Sequence, residues 1–313
     1  MSGTSDSRTR SQSNAAAMSK LSEPLKALIN AAHAKPNTLS ASKHISSVYE
    51  RVANEAGAKR VGFPAWLTAS AAATFTMNSP DSLLELYSLV NREKFRQGRE
   101  TQKHGVYTAE LMREIGLKCI GLNGVPRTIN CLGAFHSGLP TSIQSELAKR
   151  PARRSLSSNS INQTLERGNW MWDRIYHPFT DKLTAKLAQS HPDLPVFIIQ
   201  GEYGALFSDP AEPKFDPELR PNVGRVLTSI FAVSVLRAQG GVGPQIVSHI
   251  FGLRKAFEDG TAEMEPIEGG QWLSTNEGSM WLIEQVDRIV AELGQGQGSN
   301  FASGHEKQPR AKL

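Results

Sequence analysis

The chain has 313 residues, 39% of them apolar, with 26 glycines and with 35 Lys and Arg against 30 Asp and Glu. That is an ordinary globular composition, long enough to bury a core without staples, so Cys119 and Cys131 need not pair. It excludes collagen, coiled coil and wholesale disorder, and no stretch of about 18 residues runs apolar as a membrane span would. The net charge of +5 is dispersed, with no aromatic residues spaced along a basic stripe, so neither a membrane nor a nucleic acid is expected as a partner.

Residues 1–20 are rich in Ser, Thr and Ala and lack apolar periodicity, which predicts a disordered tail. Arginine and serine without acid give it a faint transit-peptide composition, but no amphipathic face. From 21 to 293 helical signals dominate. Pro64 opens an alanine-rich helix. Ser79-Pro80-Asp81 starts another, with Leu83, Leu84, Leu86, Tyr87, Val90 and Phe95 on its apolar face and Gly98 at its end. Thr108 is expected to cap a helix running to Asn123-Gly124, and Pro126 to begin the next, closed by Gly138. The basic run Arg150–Arg154 reads as a loop. Residues 160–190 carry Trp170, Trp172, Ile175, Tyr176 and Phe179 on one long helical stretch that Pro178 breaks. Val196-Phe197-Ile198-Ile199 is the one strand-like run; isolated as it is, it reads as buried helix.

Four prolines make 208–221 a loop between halves. Helices are expected at 223–238 and 245–257, a Gly- and acid-rich loop at 259–277, and a closing helix at 279–293 with Trp281, Leu282, Val286, Ile289 and Val290 inward. The fold class is all-α. Residues 294–313 form a flexible polar tail ending in Ala311, Lys312 and Leu313. A small-basic-leucine tripeptide at a free C-terminus matches the peroxisomal address read by the import receptor. The expected location is therefore the peroxisome, with mitochondrion or cytoplasm as alternatives.

The chain also echoes itself. Gly124-Val125-Pro126 and Gly241-Val242-Gly243-Pro244 each follow an apolar helix and start a second one. Aligning Pro126 with Pro244 sets Cys131 opposite His249 and defines repeat halves of about 80–200 and 220–293. At these residues the chain resembles the alkyl hydroperoxidase D (AhpD)-like and carboxymuconolactone decarboxylase-like superfamily, and over about residues 40–293 its fungal, peroxisome-associated branch. Gly240-Gly241-Val242-Gly243-Pro244-Gln245 and Gly270-Gln271-Trp272-Leu273-Ser274 carry the likeness. It implies an AhpD-like helical fold and a homo-oligomer, most simply a dimer.

The superfamily's peroxidases use Cys-x-x-Cys-x-x-x-His, and here the two cysteine positions before His249 are Val242 and Gln245. Thiol peroxidase chemistry by that route is not expected. Three candidate catalytic residues remain. His249, flanked by Ile246, Val247, Ile250 and Phe251, is either a buried neutral base or a core histidine bonded to a carbonyl. Glu202, between Gly201 and Tyr203-Gly204, either orients an imidazole or is an exposed helix-end acid. Cys131 is a nucleophile if a cation lowers its pKa, and otherwise a small core residue. No histidine spacing suggests a metal site, and no phosphate-binding glycine loop suggests a nucleotide cofactor. The reading is proton-transfer chemistry of the decarboxylase, lyase or hydrolase type on a small organic acid or acyl compound. The alternatives are a non-catalytic protein of the same fold and a diverged peroxide-detoxifying enzyme.

Overall fold

A computed structural model describes residues 21–34, 38–95, 100–208 and 221–298. The expectations for residues 1–20, for most of the loop 208–221 and for Ala311, Lys312 and Leu313 lie outside the described residues. All regular structure among the described residues is helical, as the apolar periodicity predicts. None of these helices is long and apolar enough to cross a membrane. The chain divides into two compact units, 1–37 and 38–313.

In the first unit α1 (Glu23–Ile29) begins where the Ser22 hydroxyl accepts from the Leu25 amide, and it buries none of its residues. The second unit starts with α2 (Ile45–Ala58), α3 (Phe63–Thr76) and α4 (Pro80–Val90). Helix α3 is the centre of the core. Pro64 sits in its first turn as expected, and from Ala65 to Thr76 every residue is buried, so it has no wet face. Alanines at 65, 69, 71, 72 and 73 let its neighbours approach closely. Two of its buried hydroxyls turn back onto their own helix, Thr74 donating to Ser70 O (2.7 Å) and Thr76 to Ala72 O (2.8 Å), while those of Thr68 and Ser70 are buried without a hydrogen-bond partner.

Helix α5 spans Thr101–Lys118, α6 Ile120–Asn123, α7 Val125–Gly138 and α8 Thr141–Ala148. Two expectations are corrected here. Thr108 is not a cap but lies buried in mid-helix; α5 starts a turn and more earlier, where the Glu100 carboxylate accepts from the amides of Gln102 (3.0 Å) and Lys103 (3.3 Å). Charge at a helix N-terminus does there what a hydroxyl was expected to do. Phe95 is not on the face of α4, which stops at Val90, but in a separate 3-10 turn, Glu93–Phe95.

Helix α9 (Ile161–Tyr176) and α10 (Thr180–Ser190) are separated at Pro178, as expected. Then come α11 (Asp193–Phe197) and a π-helical segment, Ile198–Phe207. The run 196–199 is helical, but Val196 and Phe197 are 47% and 64% exposed. Only its second half, Ile198 and Ile199, is partly buried and packs against the core. The rest is α12 (Arg225–Gln239), α13 (Gly243–Glu258), α14 (Gly270–Leu273) and α15 (Asn276–Leu293). The loop expected at 259–277 contains α14 and a 3-10 turn, Thr261–Met264. Helices α12 and α15 pack over α3 together with α2, α4 and α5, so early and late parts of the chain share one core. Both echoed units show the same punctuation. Gly124 and Gly240 end helices at φ of 86° and 75°, and Pro126 and Pro244 lie in the first turns of α7 and α13.

The π segment lies against α9 at a contact only glycine permits. A Cβ at Gly168 would stand 2.5 Å from the Ile199 carbonyl oxygen and 2.8 Å from the Gly204 Cα. Backbone cannot step aside as a flexible side chain can. Gly168→Ala is therefore expected to cost about 2 kcal/mol in denaturant unfolding, overcoming the ~1 kcal/mol that alanine gains in helix propensity. Gly201→Ala, which would meet only the Phe197 ring at 3.4 Å, serves as the control and should change stability by less than about 1 kcal/mol. Equal effects at the two positions would mean the close approach is absent.

Candidate functional site

His249 lies on the second turn of α13 and is 6% exposed. Its ring meets Tyr176, at the end of α9, edge to face with centroids 6.3 Å apart and planes at 73°. The Tyr176 hydroxyl is hydrogen-bonded to that of Tyr203, on the π segment, at 3.0 Å. Trp172 closes the cluster, its ring 4.1 Å from Tyr176 and 5.1 Å from Tyr203, and Phe207 and Phe231 continue it inward. The packing of α9 on the π segment through Gly168 is what sets the two phenols side by side.

His249 Nδ1 is buried without a hydrogen-bond partner. Burial, with a smaller contribution from the Arg225 charge, pulls the imidazole pKa from 6.5 down to about 4, so it is neutral at physiological pH. Nδ1 has no carbonyl partner, and the ring lies buried as a core histidine does. Arg225, 3% exposed, anchors α12 to its surroundings by donating to Ser229 Oγ (2.9 Å), the Gly252 carbonyl (2.5 Å) and the Arg174 carbonyl (3.2 Å). Burial lowers its pKa to about 10, which leaves it a cation beside the imidazole.

Glu202 and Cys131 take different places. Glu202 precedes Tyr203 on the π segment, half-buried against Gly121 of α6, with Oε2 buried and unpartnered. Burial raises its pKa above the ordinary carboxyl value. It thus stands beside the tyrosine pair without touching the imidazole. Cys131 is 1% exposed on α7, and burial pushes its thiol up to about 12; Cys119 is raised likewise. Both are free thiols. Arg127, the cation near Cys131, lowers that pKa far less than burial raises it, so the thiolate a nucleophile needs is scarce. No hydrogen bond or ring contact links Cys131 to His249 among the described residues. Nor do three His, Cys, Asp or Glu side chains converge there as a metal shell would require.

On the outer side of Tyr176 a groove of about 410 Å³ runs between the end of α9, α10 and α13, with Ile175, Tyr176, Phe179, Leu183, Val247 and Phe251 along it and Lys182, Lys186 and Lys255 at its margins. A larger hollow of about 750 Å³ lies between α5, α7 and the loop 150–155. There the basic run folds onto acids of α5, Arg150 lying 3.2 Å from Glu110 and Arg154 pairing with Glu114. The sequence pointed to His249, Glu202 and, without a role, Tyr203. It gave no signal for the bond from Tyr176 to Tyr203 or for Arg225, because both depend on which helices meet. No family model matches the chain, and no curated protein or solved structure shows significant similarity to it.

Proposed function

We propose that this chain is an AhpD-like, carboxymuconolactone decarboxylase-like protein of the peroxisome, built on two diverged helix–turn–helix repeats, that transfers a proton on a small organic acid, lactone or acyl compound. The carrying observation is the buried imidazole of His249, neutral and unpartnered at Nδ1, against a tyrosine that also lines an open groove. In the proposed step an imidazole nitrogen takes the proton from the carbon beside a carbonyl, and the C–H electron pair moves into the carbonyl to form an enolate. Tyr176, hydrogen-bonded to Tyr203, is the phenol whose ring meets the imidazole, and it also lines the groove. Glu202 precedes Tyr203 on the π segment, and burial raises its pKa above the ordinary carboxyl value.

A second reading has its own support. His249 lines none of the described cavities, which fits a non-catalytic protein that kept the fold. Metabolite profiling separates the two. A deletion strain and an abundance-matched His249→Gln strain are expected to accumulate the same organic acid or acyl compound, since loss of a general base costs roughly 10²- to 10⁴-fold in rate. A deletion profile identical to wild type refutes the enzyme, and full rescue by His249→Gln refutes this base. The peroxisomal address and its import receptor are proposed on Ala311, Lys312 and Leu313, and a fluorescent fusion lacking Leu313 should become cytosolic. The proposal includes a homodimer, on the resemblance alone.

A further inference from the structure

We infer that the groove between α9, α10 and α13 is a binding site for an anionic amphiphile of the fatty-acid type, its acyl tail along Val247, Phe251 and Leu183 and its carboxylate among Lys182, Lys186 and Lys255. Three observations converge on that chemistry. First, the groove leaves Phe179 64%, Phe251 51% and Val247 50% exposed on adjoining elements. Apolar surface gathered in a hollow is a cost in water, recovered at about 25 cal/mol for each Å² covered. Its volume of about 410 Å³ lies in the range of small-molecule sites.

Second, every charged side chain lining the groove is a lysine. Lys182 and Lys186 lie one turn apart on α10, so two ammonium groups stand on the same margin of the groove. Third, the Lys255 ammonium is held in place: it donates to the Ile175 carbonyl at 2.8 Å and to the His177 carbonyl, leaving one of its three N–H groups for a ligand. Three acids act on Lys255, Glu258 at the end of α13 first and then Asp173 and Asp259, and none of them lines the groove. Asp173 accepts from the Thr180 hydroxyl at 3.0 Å, and Asp259 lies 3.8 Å from Arg174.

A second copy of the chain fits this groove poorly. A two-fold contact would bring the lysines of one copy onto those of the other. A short acid would satisfy the lysines and leave the apolar wall wet. If the amphiphile is also the substrate, that role rests on the proton-transfer reading; binding itself does not.

Isothermal titration of the full chain with decanoate, decanol, decyltrimethylammonium and acetate tests the site. Decanoate is expected to bind about tenfold or more tighter than decanol, as one charge-assisted hydrogen bond implies, and tighter still than the cation. Each methylene that enters the groove should tighten binding by up to ~4-fold, so acetate should not bind measurably. Val247→Glu and the double variant Lys182→Gln/Lys186→Gln, all at exposed positions, should each weaken decanoate by about fivefold or more. Equal affinity for the three headgroups, unaltered binding in either variant, binding only to anionic phosphatidylglycerol vesicles, or a dimer that Val247→Glu dissociates and that excludes decanoate would each overturn the inference. Loss of the metabolite phenotype in His249→Gln alongside retained decanoate binding would sink the reaction and leave the binding site standing.

Discussion

Replacing Glu265 with alanine is expected to lower the unfolding free energy by about 3 kcal/mol. Glu265 is 6% exposed at the start of the segment leading to α14, and its carboxylate reaches back to the first turn of α12. One oxygen accepts from the Gly224 amide at 2.6 Å, and the other from Val226 at 2.6 Å and Leu227 at 3.1 Å. These are donors that a helix leaves without intrahelical partners, and they carry the positive end of its dipole. Alanine strands all three in a buried place. Bonds to a charged acceptor contribute about 1.5–3 kcal/mol, and orphaned amides add their desolvation. Because α12 lies on α3, the damage reaches the core. Glu265→Gln keeps an acceptor oxygen but loses the charge, and should fall about midway in urea unfolding. If alanine and glutamine cost the same small amount, the carboxylate is not the cap described here.

Acid should weaken the fold through His249 by a comparable amount. The unfolded imidazole titrates near 6.5 and the folded one near 4. Between these values the unfolded chain binds a proton that the folded chain refuses, so stability falls as the pH drops through the window. A shift of this size corresponds to ~3 kcal/mol by pH 4, complete only below the folded value. Two other groups act in the same range. Glu202, its pKa raised, favours the folded state as the pH falls toward the ordinary carboxyl value, and adds nothing further below it. Glu55 is held down to about 2 by Arg288, Arg51 and Trp281, and it loses stabilisation as the pH falls from 4.5 toward 2. Both are common to wild type and His249→Gln. Urea unfolding of the two proteins at pH 7.5, 5.5 and 4 should therefore show the wild type losing roughly 3 kcal/mol more than the variant. Parallel stability curves would mean the ring is protonated and solvated in the folded state.

Proline chemistry made much of the helix map readable. Pro64, Pro80, Pro126 and Pro244 each stand in a first turn, where the missing amide costs nothing, and Pro178 lies between α9 and α10. The start of α5 was not readable, since Glu100 caps it with a side chain whose usual place is a solvated surface. The burial of His249 followed from its apolar neighbours, but two of them, Val247 and Phe251, face the groove and not the core. Periodicity identifies an apolar face without saying what covers it. The pairing of Tyr176 with Tyr203 across 27 residues, and of Glu265 with α12 across about 40, depends on tertiary contacts that no local pattern encodes.

The central position of α3 also orders events on the ribosome. Its residues end at 76, while two of the helices that cover it begin at 225 and 276. At typical elongation rates of about 5–20 residues per second, roughly seven to thirty seconds pass between the synthesis of this apolar, alanine-lined segment and that of the first of them. That interval reflects the long sequence separation of the contacts that complete the core, the kind of topology that slows folding.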